Sequence, residues 1–152
     1  MTTPEQRLAE LGLELPAVVP PVASYVPAVV SGSYVYVSGQ VPIVDGELAV
    51  AGRLGVDVDV DEAKQAARTC ALNALAAVKS VTGDLDKVKR VVKLLGFVNS
   101  APDFAQQPQV VNGASDLLGE VFGERGQHAR SAIGVAALPL NAPVEVEMIV
   151  EV

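Results

Sequence analysis

Aromatic, sulfur-containing and basic residues are all scarce in this sequence. Aromatic residues make up 4% of it and Trp is absent, so a core must be built mainly from Val, Leu and Ala. Eleven basic against eighteen acidic residues give a net charge of -7, which repels phosphate backbones and anionic membrane surfaces. One Cys and one His offer too few ligands for a zinc site, which needs about four. We therefore expect no metal site, and neither nucleic acid nor a membrane as partner.

The lone cysteine, Cys70, also bears on the compartment. It cannot form an intramolecular disulfide, and the N-terminus lacks the basic region and apolar stretch of a secretory signal, so we expect a cytoplasmic protein. No apolar run approaches the ~20 residues that a membrane-spanning helix needs. Cys70 stands among alanines on the apolar side of a predicted helix, which favours buried packing over a reactive thiolate.

The N-terminal residues show the capping pattern of a short helix. Thr3 is a predicted N-cap, Pro4 occupies the first helical position, and Gln6 completes a capping box. Gly12 is a terminator. The four prolines in residues 13–27 remove backbone donors, so this stretch is expected to wrap the surface until a strand begins near residue 24.

Hydrophobic periodicity predicts the remaining elements. An apolar residue at every third or fourth position indicates a helix, whereas strict alternation from Val144 onward indicates a strand with Glu145 on its polar side. The predicted elements are strands at 24–30, 33–38 and 47–50, a helix at 61–81, a strand at 88–98, a helix at 108–122, and strands at 129–137 and 144–152. This order predicts a single α+β domain with both long helices on one face of a sheet. Oligomerisation is then the simplest cover for the opposite face.

Several classes of catalytic site lack their sequence signature. The chain has no G-x-S-x-G elbow, no Walker A loop and no G-x-G-x-x-G turn, which argues against serine-hydrolase, nucleotide and dinucleotide sites. His128 precedes Arg130 in a predicted loop, where it is a candidate proton carrier, although a lone loop His is more often a surface residue. We therefore expect chemistry without a metal or cofactor.

What remains is an arginine and a carboxylate at two strands. Arg130 stands at the start of one predicted strand and Glu145 at the start of another. The planar fork of an arginine matches a carboxylate through two parallel hydrogen bonds, so Arg130 is a candidate site for a small carboxylate-bearing molecule. From spacing alone, a structural ion pair or an exposed strand face remains the simpler interpretation.

Three ordered motifs resemble the Rid (YjgF) family of reactive-intermediate imine deaminases, also labelled L-PSP endoribonucleases. They are Val-Ser-Gly-Gln-Val-Pro at 37–42, Ala-Arg-Ser-Ala-Ile-Gly-Val at 129–135 with Leu138-Pro139, and Val-Glu-Val-Glu at 144–147. The likeness spans residues 24–152, which would form the Rid-like domain after an N-terminal extension at 1–23. It implies a chorismate-mutase-like fold with a mixed sheet, and a homotrimer with three clefts between subunits.

The resemblance also implies roles for individual residues. Arg130 matches the arginine that grips the substrate carboxylate, and Glu145 matches the acid associated with the hydrolytic water. The positions that match other substrate-binding residues are Tyr25, Ser38, Gly39, Asn112 and Ala132. Ala132 stands where many members have Cys, and the contribution there is expected from the backbone carbonyl. Plainer interpretations are an interface aromatic for Tyr25, a strand end for Ser38 and a polar helix face for Asn112.

The activity implied by the resemblance is hydrolysis of a 2-imino acid, formed from an enamine, to a 2-keto acid and ammonia without metal or cofactor. The N-terminal helix and the segment 112–116 indicate a longer subgroup of the family, whose substrates the resemblance does not settle. Two alternatives stay open. One is a non-catalytic trimer that binds small carboxylates or a protein, and the other is an endoribonuclease, which fits poorly with the acid excess.

Overall fold

Three α-helices, three short 3₁₀ helices and seven strands make up the regular structure of the computed structural model, which describes residues 2–21 and 23–152. The helices are α1 (Pro4–Glu10), α2 (Val60–Thr82) and α3 (Gln107–Phe122). The strands are β1 (Ala28–Ser31), β2 (Tyr34–Gln40), β3 (Ile43–Val44), β4 (Glu47–Leu48), β5 (Arg90–Asn99), β6 (Ala129–Val135) and β7 (Val144–Glu151). Met1 and Val22, which belong to the predicted extension 1–23, lie outside the described residues.

Five of the strands form one mixed sheet in the order β1-β2-β7-β5-β6. Strands β5 and β6 are parallel, joined by α3, and the other neighbours are antiparallel. The short strands β3 and β4 form a separate hairpin around Asp45 and Gly46, both with positive φ, as a tight two-residue turn requires. The predicted α+β architecture, with α2 and α3 packed on the sheet, is confirmed.

The N-terminal helix begins as its capping residues predict. The Thr3 hydroxyl accepts the backbone N–H of Gln6, and the Gln6 side chain accepts the N–H of Thr3 at 2.9 Å. Pro4 fills the first helical position, where no backbone donor is needed. Gly12 follows the helix with a φ of +72°, a left-handed conformation that turns the chain away.

The first strand is shorter than predicted. It begins at Ala28 rather than at residue 24, and bends at residues 23–25 occupy the expected start. Pro27 has no N–H for a ladder, so regular pairing starts just after it. The backbone carbonyl of Pro27 nevertheless accepts the N–H of Ser38 at 2.9 Å, which ties the segment to β2.

The core lies between the helices and one face of the sheet. Val144, Val146, Met148 and Val150 of β7 point into it, and their burial alternates with half-buried neighbours as predicted. The small residues of α2 that let the helix approach the sheet are Ala63, Ala67, Cys70, Ala71 and Ala74, all 0% exposed. Burial, and secondarily the charge of Glu145, raise the pKa of the Cys70 thiol well above its ordinary value. Cys70 is therefore a packing residue, as the sequence indicated.

The opposite face of the sheet carries large apolar side chains that no described helix covers. Tyr34 and Tyr36 on β2 are 41% and 47% exposed, and Ile133 on β6 is 44% exposed. Half-buried Ile149 continues this surface across β7. We call this surface the open face. No helix within residues 2–21 and 23–152 combines the length and apolarity that crossing a bilayer requires.

Candidate functional site

Glu145 lies at the wall of a cavity of about 400 Å³, which we call the acid cavity. Glu145 points to the open-face side of β7, because it alternates with the buried Val144 and Val146. Tyr25 and Gly39 line the same cavity, so the structure brings these three predicted site residues together. The remaining lining is largely apolar and comes from the extension, the 39–46 segment and the turn before β7.

The environment of Glu145 changes its acidity. Partial burial raises the pKa of this carboxyl, and the nearby charge of Glu147 raises it further. A carboxylate whose conjugate acid has a raised pKa is a stronger base than an exposed one. Glu145 is therefore suited to general acid and base chemistry.

A bulge in β2 brings the chain against Glu145. The register with β7 shifts between Val37 and Gln40, so Ser38 and Gly39 fall outside regular pairing. A Cβ atom added at Gly39 would lie 2.9 Å from Cδ of Glu145, and nearer still to its Oε1. Glycine is needed here for close approach. The Ser38 hydroxyl donates to the Val26 carbonyl at 2.6 Å and so fastens the segment that carries Tyr25.

The closeness of Gly39 to Glu145 leads to a testable result. If the chain hydrolyses 2-imino acids, as the family resemblance implies, we expect Gly39→Ala to displace the carboxylate and to lower kcat for that reaction by roughly tenfold to a hundredfold, because small misplacements of reacting groups are costly. The measurement is turnover of the single variants and of the double variant with Glu145→Gln. If the methyl group acts through Glu145, the double variant is no slower than Glu145→Gln alone. If the losses of the two single variants add in the double variant, Gly39→Ala acts through a group other than Glu145.

Arg130 does not line the acid cavity. It lies in a separate, shallow depression of about 380 Å³ between α3 and β6. We call it the arginine depression. Its Nη1 donates to the Ser115 hydroxyl at 3.1 Å and its Nη2 to the Pro108 carbonyl at 3.2 Å. Asn112 lines the same depression, one helical turn from Ser115. The structure thus brings Arg130 and Asn112 together, and α3 holds the guanidinium in place.

A single chain does not bring Arg130 to Glu145. Arg130 is paired with Leu94 of β5, and Leu94 with Met148 of β7, so the two residues lie roughly 10 Å apart across the sheet and a further ~10 Å along it. Arg130 also faces the helices, whereas Glu145 points to the open-face side. The ion pairs among the described residues include neither of them, so Arg130 and Glu145 form no structural ion pair within one chain.

Ala132 stands close to Arg130 on β6. This strand is at the edge of the sheet, so its outer side pairs with no strand of the described chain. The Ala132 side chain packs against the core, which leaves its backbone as the part that can act at a site. An unpaired strand edge presents free N–H and C=O groups to a neighbouring molecule.

The rim of the acid cavity holds unusual backbone geometry. Leu140 and Asn141 have φ values of 60° and 58°, in the left-handed region that non-glycine residues rarely adopt. The Asn141 carbonyl accepts the N–H of Gly52 at 2.8 Å, and its Oδ1 accepts the amide of buried Asn99 at 3.2 Å. These bonds fix the turn so that Leu140, 60% exposed, lines the cavity. Backbone strain of this kind concentrates at functional sites.

Sequence reasoning missed part of the site. His128 is not the surface residue that a loop position favoured: it is half-buried, with Nε2 at 2.9 Å from the Ser115 hydroxyl and Nδ1 at 2.6 Å from the Gly126 carbonyl. Ser115 was not a predicted site residue. The spacing of Asn112 and Ser115 by three on a predicted helix was the available signal, since such residues share a face.

The described residues offer no ready metal centre. Within 2–21 and 23–152, no three His, Cys, Asp or Glu side chains are grouped so as to hold an ion. The candidate groups are therefore a guanidinium, a carboxyl, a hydroxyl and an imidazole.

Comparison with known proteins gives consistent family matches. The model of the family described as "YjgF/chorismate mutase-like, putative endoribonuclease" matches residues 5–152. A crystal structure of Atu1372, a protein of unknown function from Agrobacterium tumefaciens, is 53% identical and superposes with a TM-score of 0.91. That match covers 98% of this chain and 92% of the other.

Curated relatives also match at the level of sequence, among them the following two. Protein TCP17 of Trypanosoma cruzi is 51% identical over 145 residues, which is 95% of this chain and 91% of the relative. A 2-iminobutanoate/2-iminopropanoate deaminase of Dermatophagoides farinae is 36% identical over 131 residues, covering 86% and 87% of the two chains. The family match over residues 5–152 includes the residues of both the acid cavity and the arginine depression.

Proposed function

Because the chain belongs to the YjgF/chorismate mutase-like family, we propose that it hydrolyses small 2-imino acids to 2-keto acids and ammonia at a crevice shared between copies of the chain. The observation that carries this proposal is the guanidinium of Arg130, fixed by two hydrogen bonds at an open depression. The bonds to Ser115 and Pro108 use two of the five N–H groups of the guanidinium, so the remaining N–H groups can donate to a carboxylate. The raised pKa of Glu145 supports the hydrolytic half of the reaction.

The hydrolysis of a protonated imine proceeds through three proton transfers at Glu145. Arg130 binds the carboxylate of the imino acid and so orients the adjacent imine carbon. Glu145 accepts a proton from water as the water oxygen forms a bond to that carbon. The same carboxyl then returns this proton to the nitrogen of what was the protonated imine, which becomes an ammonium group. As the C–N bond breaks and ammonia leaves, Glu145 accepts the proton of the new hydroxyl group, whose oxygen becomes the carbonyl oxygen of the 2-keto acid. No metal and no redox step is required.

A second copy of the chain completes the site in this proposal. Arg130 and Glu145 lie far apart in one chain, on opposite faces of the sheet. The edge strand β6 and the apolar open face are surfaces that a neighbouring copy would cover. A homotrimer would cover the edge strand and the open face. Each of its clefts would take Arg130 from one subunit and Glu145 from the next.

The lining of the acid cavity indicates the class of substrate. Val19, Pro20 and Pro21 of the extension and Leu140 of the opposite rim form apolar walls beside Glu145. Each buried methylene group contributes about 0.8 kcal/mol to binding on such a wall. An imino acid with an apolar side chain therefore suits this cavity better than one with a charged side chain.

The direct test is an assay in which an amino-acid oxidase generates the imine of leucine in the presence of the protein. Semicarbazide competes for the free imine, so a lower yield of semicarbazone at the same oxidase rate measures hydrolysis. Imine hydrolysis supports the proposal. Binding of a 2-keto acid without turnover would instead favour a non-catalytic carboxylate-binding trimer. RNA cleavage that Arg130→Ala leaves unchanged, in nuclease-free protein, would favour the endoribonuclease.

A further inference from the structure

A continuous chain of hydrogen bonds runs from the backbone of Gly126 to Arg130. His128 Nδ1 lies 2.6 Å from the Gly126 carbonyl, and His128 Nε2 lies 2.9 Å from the Ser115 hydroxyl. Arg130 Nη1 lies 3.1 Å from the same hydroxyl. The three side chains come from α3, from β6 and from the residue before β6. All three line the arginine depression.

When the imidazole is neutral, the donors and acceptors in this chain of hydrogen bonds have one consistent arrangement. A carbonyl oxygen can only accept, so Nδ1 of His128 must carry a proton. In the neutral imidazole Nε2 is then bare and accepts the proton of the Ser115 hydroxyl. The hydroxyl keeps a lone pair for the N–H of Arg130. Each group is satisfied, and the guanidinium is the end of the chain that faces the depression.

We propose that Ser115 and His128 are positioning residues for Arg130, which hold its guanidinium ready for the carboxylate of a 2-imino or 2-keto acid. This inference rests on the proposed function, since it concerns the same carboxylate site. An arginine has many rotamers, and fixing it before the ligand arrives lowers the conformational entropy lost on binding. His128 fixes Ser115, and Ser115 with Pro108 fixes two of the guanidinium nitrogens.

The imidazole gives a spectroscopic test, because His128 is the single histidine of the chain. In protein without a histidine tag, long-range ¹H–¹⁵N correlation should show a protonated Nδ1 and a bare Nε2 for the neutral ring. Ser115→Ala should shift the Nε2 resonance, since that nitrogen loses its donor. A proton on Nε2 in the neutral ring of the wild-type protein would overturn the proposal.

Binding of pyruvate, a small 2-keto acid, gives the functional test. We expect Ser115→Ala and His128→Ala each to raise the Kd for pyruvate, and the KM for imine, about tenfold, with a smaller change in kcat. Ser115→Thr keeps a hydroxyl and His128→Gln keeps an acceptor, so each should recover most of the affinity. Ser80→Ala is the matched control, because the Ser80 hydroxyl bonds to the Ala77 carbonyl of its own helix.

The outcomes separate this inference from the proposed function. If Arg130→Ala loses pyruvate binding while Ser115→Ala and His128→Ala bind as the wild type does, the positioning role is wrong and the proposed function stands. If Ser115→Ala and Ser115→Thr are equally impaired, the hydroxyl is not the active group and the positioning role is again wrong. If the wild-type protein neither binds pyruvate nor hydrolyses imines, both proposals fail.

Discussion

Arg130→Lys is expected to lower kcat/KM for imine hydrolysis by roughly tenfold to a hundredfold. Lysine keeps the charge but loses the planar fork, so a carboxylate is held by a point charge without defined orientation. The two bonds that fix Arg130 to Ser115 and Pro108 are also matched to a guanidinium. The main part of the loss should appear in KM, with a further loss in kcat because the imine carbon is less well oriented.

Arg7→Lys is the control for this result. Arg7 is an arginine of α1 that forms an ion pair with Glu10 at 2.6 Å and donates to the Glu120 carbonyl of α3 at 3.1 Å, but it lines neither the acid cavity nor the arginine depression. Its replacement should leave turnover unchanged within experimental error. Near-normal kcat/KM for Arg130→Lys, beside an equally active Arg7→Lys, would mean that the guanidinium does not bind the carboxylate.

Glu145→Gln is expected to lower kcat by roughly 10²- to 10⁴-fold, the usual contribution of a general base. The amide has nearly the same shape as the carboxyl, so the acid cavity and the fit against Gly39 should be preserved. Substrate binding through Arg130 should then persist, with little change in the Kd for pyruvate. A variant that retains wild-type kcat would show that another group activates the water.

Although Glu145→Gln should lower activity, it should raise the stability of the folded protein at pH 7. Burial raises the pKa of Glu145 in the folded state, so folding favours the protonated form. The protonated carboxyl therefore costs the folded protein no stability below the unfolded-state pKa of about 4.3. As the pH rises through the raised pKa of the folded state, the carboxyl ionises and the folded protein loses stability relative to the unfolded chain. Glu145→Gln does not ionise, so it should melt at a higher temperature than the wild type at pH 7. The difference should shrink towards pH 4, which thermal denaturation at the two pH values measures.

Residue patterns predicted most of the fold. The alternation from Val144 onward placed each side chain of β7 on its observed face, because a half-buried strand repeats every second residue. The alanine stripe of α2 likewise fixed its buried face. The first strand began later than predicted because backbone donors, rather than β-branched side chains, decide where pairing starts, and Pro27 has none.

The candidate site was harder to predict than the fold. Family motifs pointed to Arg130 and Glu145, but they did not reveal that Arg130 faces the helices whereas Glu145 points to the open-face side of the sheet. The role of Ser115 was hidden for a similar reason. Its link to His128 joins the middle of α3 to the residue before β6, a contact that depends on how the helix packs rather than on local sequence.

The mixing of two inactive variants tests the shared site most directly. Arg130→Ala and Glu145→Gln are unfolded together in equal amounts and refolded, and each variant refolded alone is the control. If each site takes Arg130 from one copy and Glu145 from another, both residues are intact in about a quarter of randomly assembled sites. We therefore predict recovery of about a quarter of wild-type imine hydrolysis. A mixture as inactive as the separate variants, although wild-type protein regains activity in the same procedure, would contradict a site shared between copies.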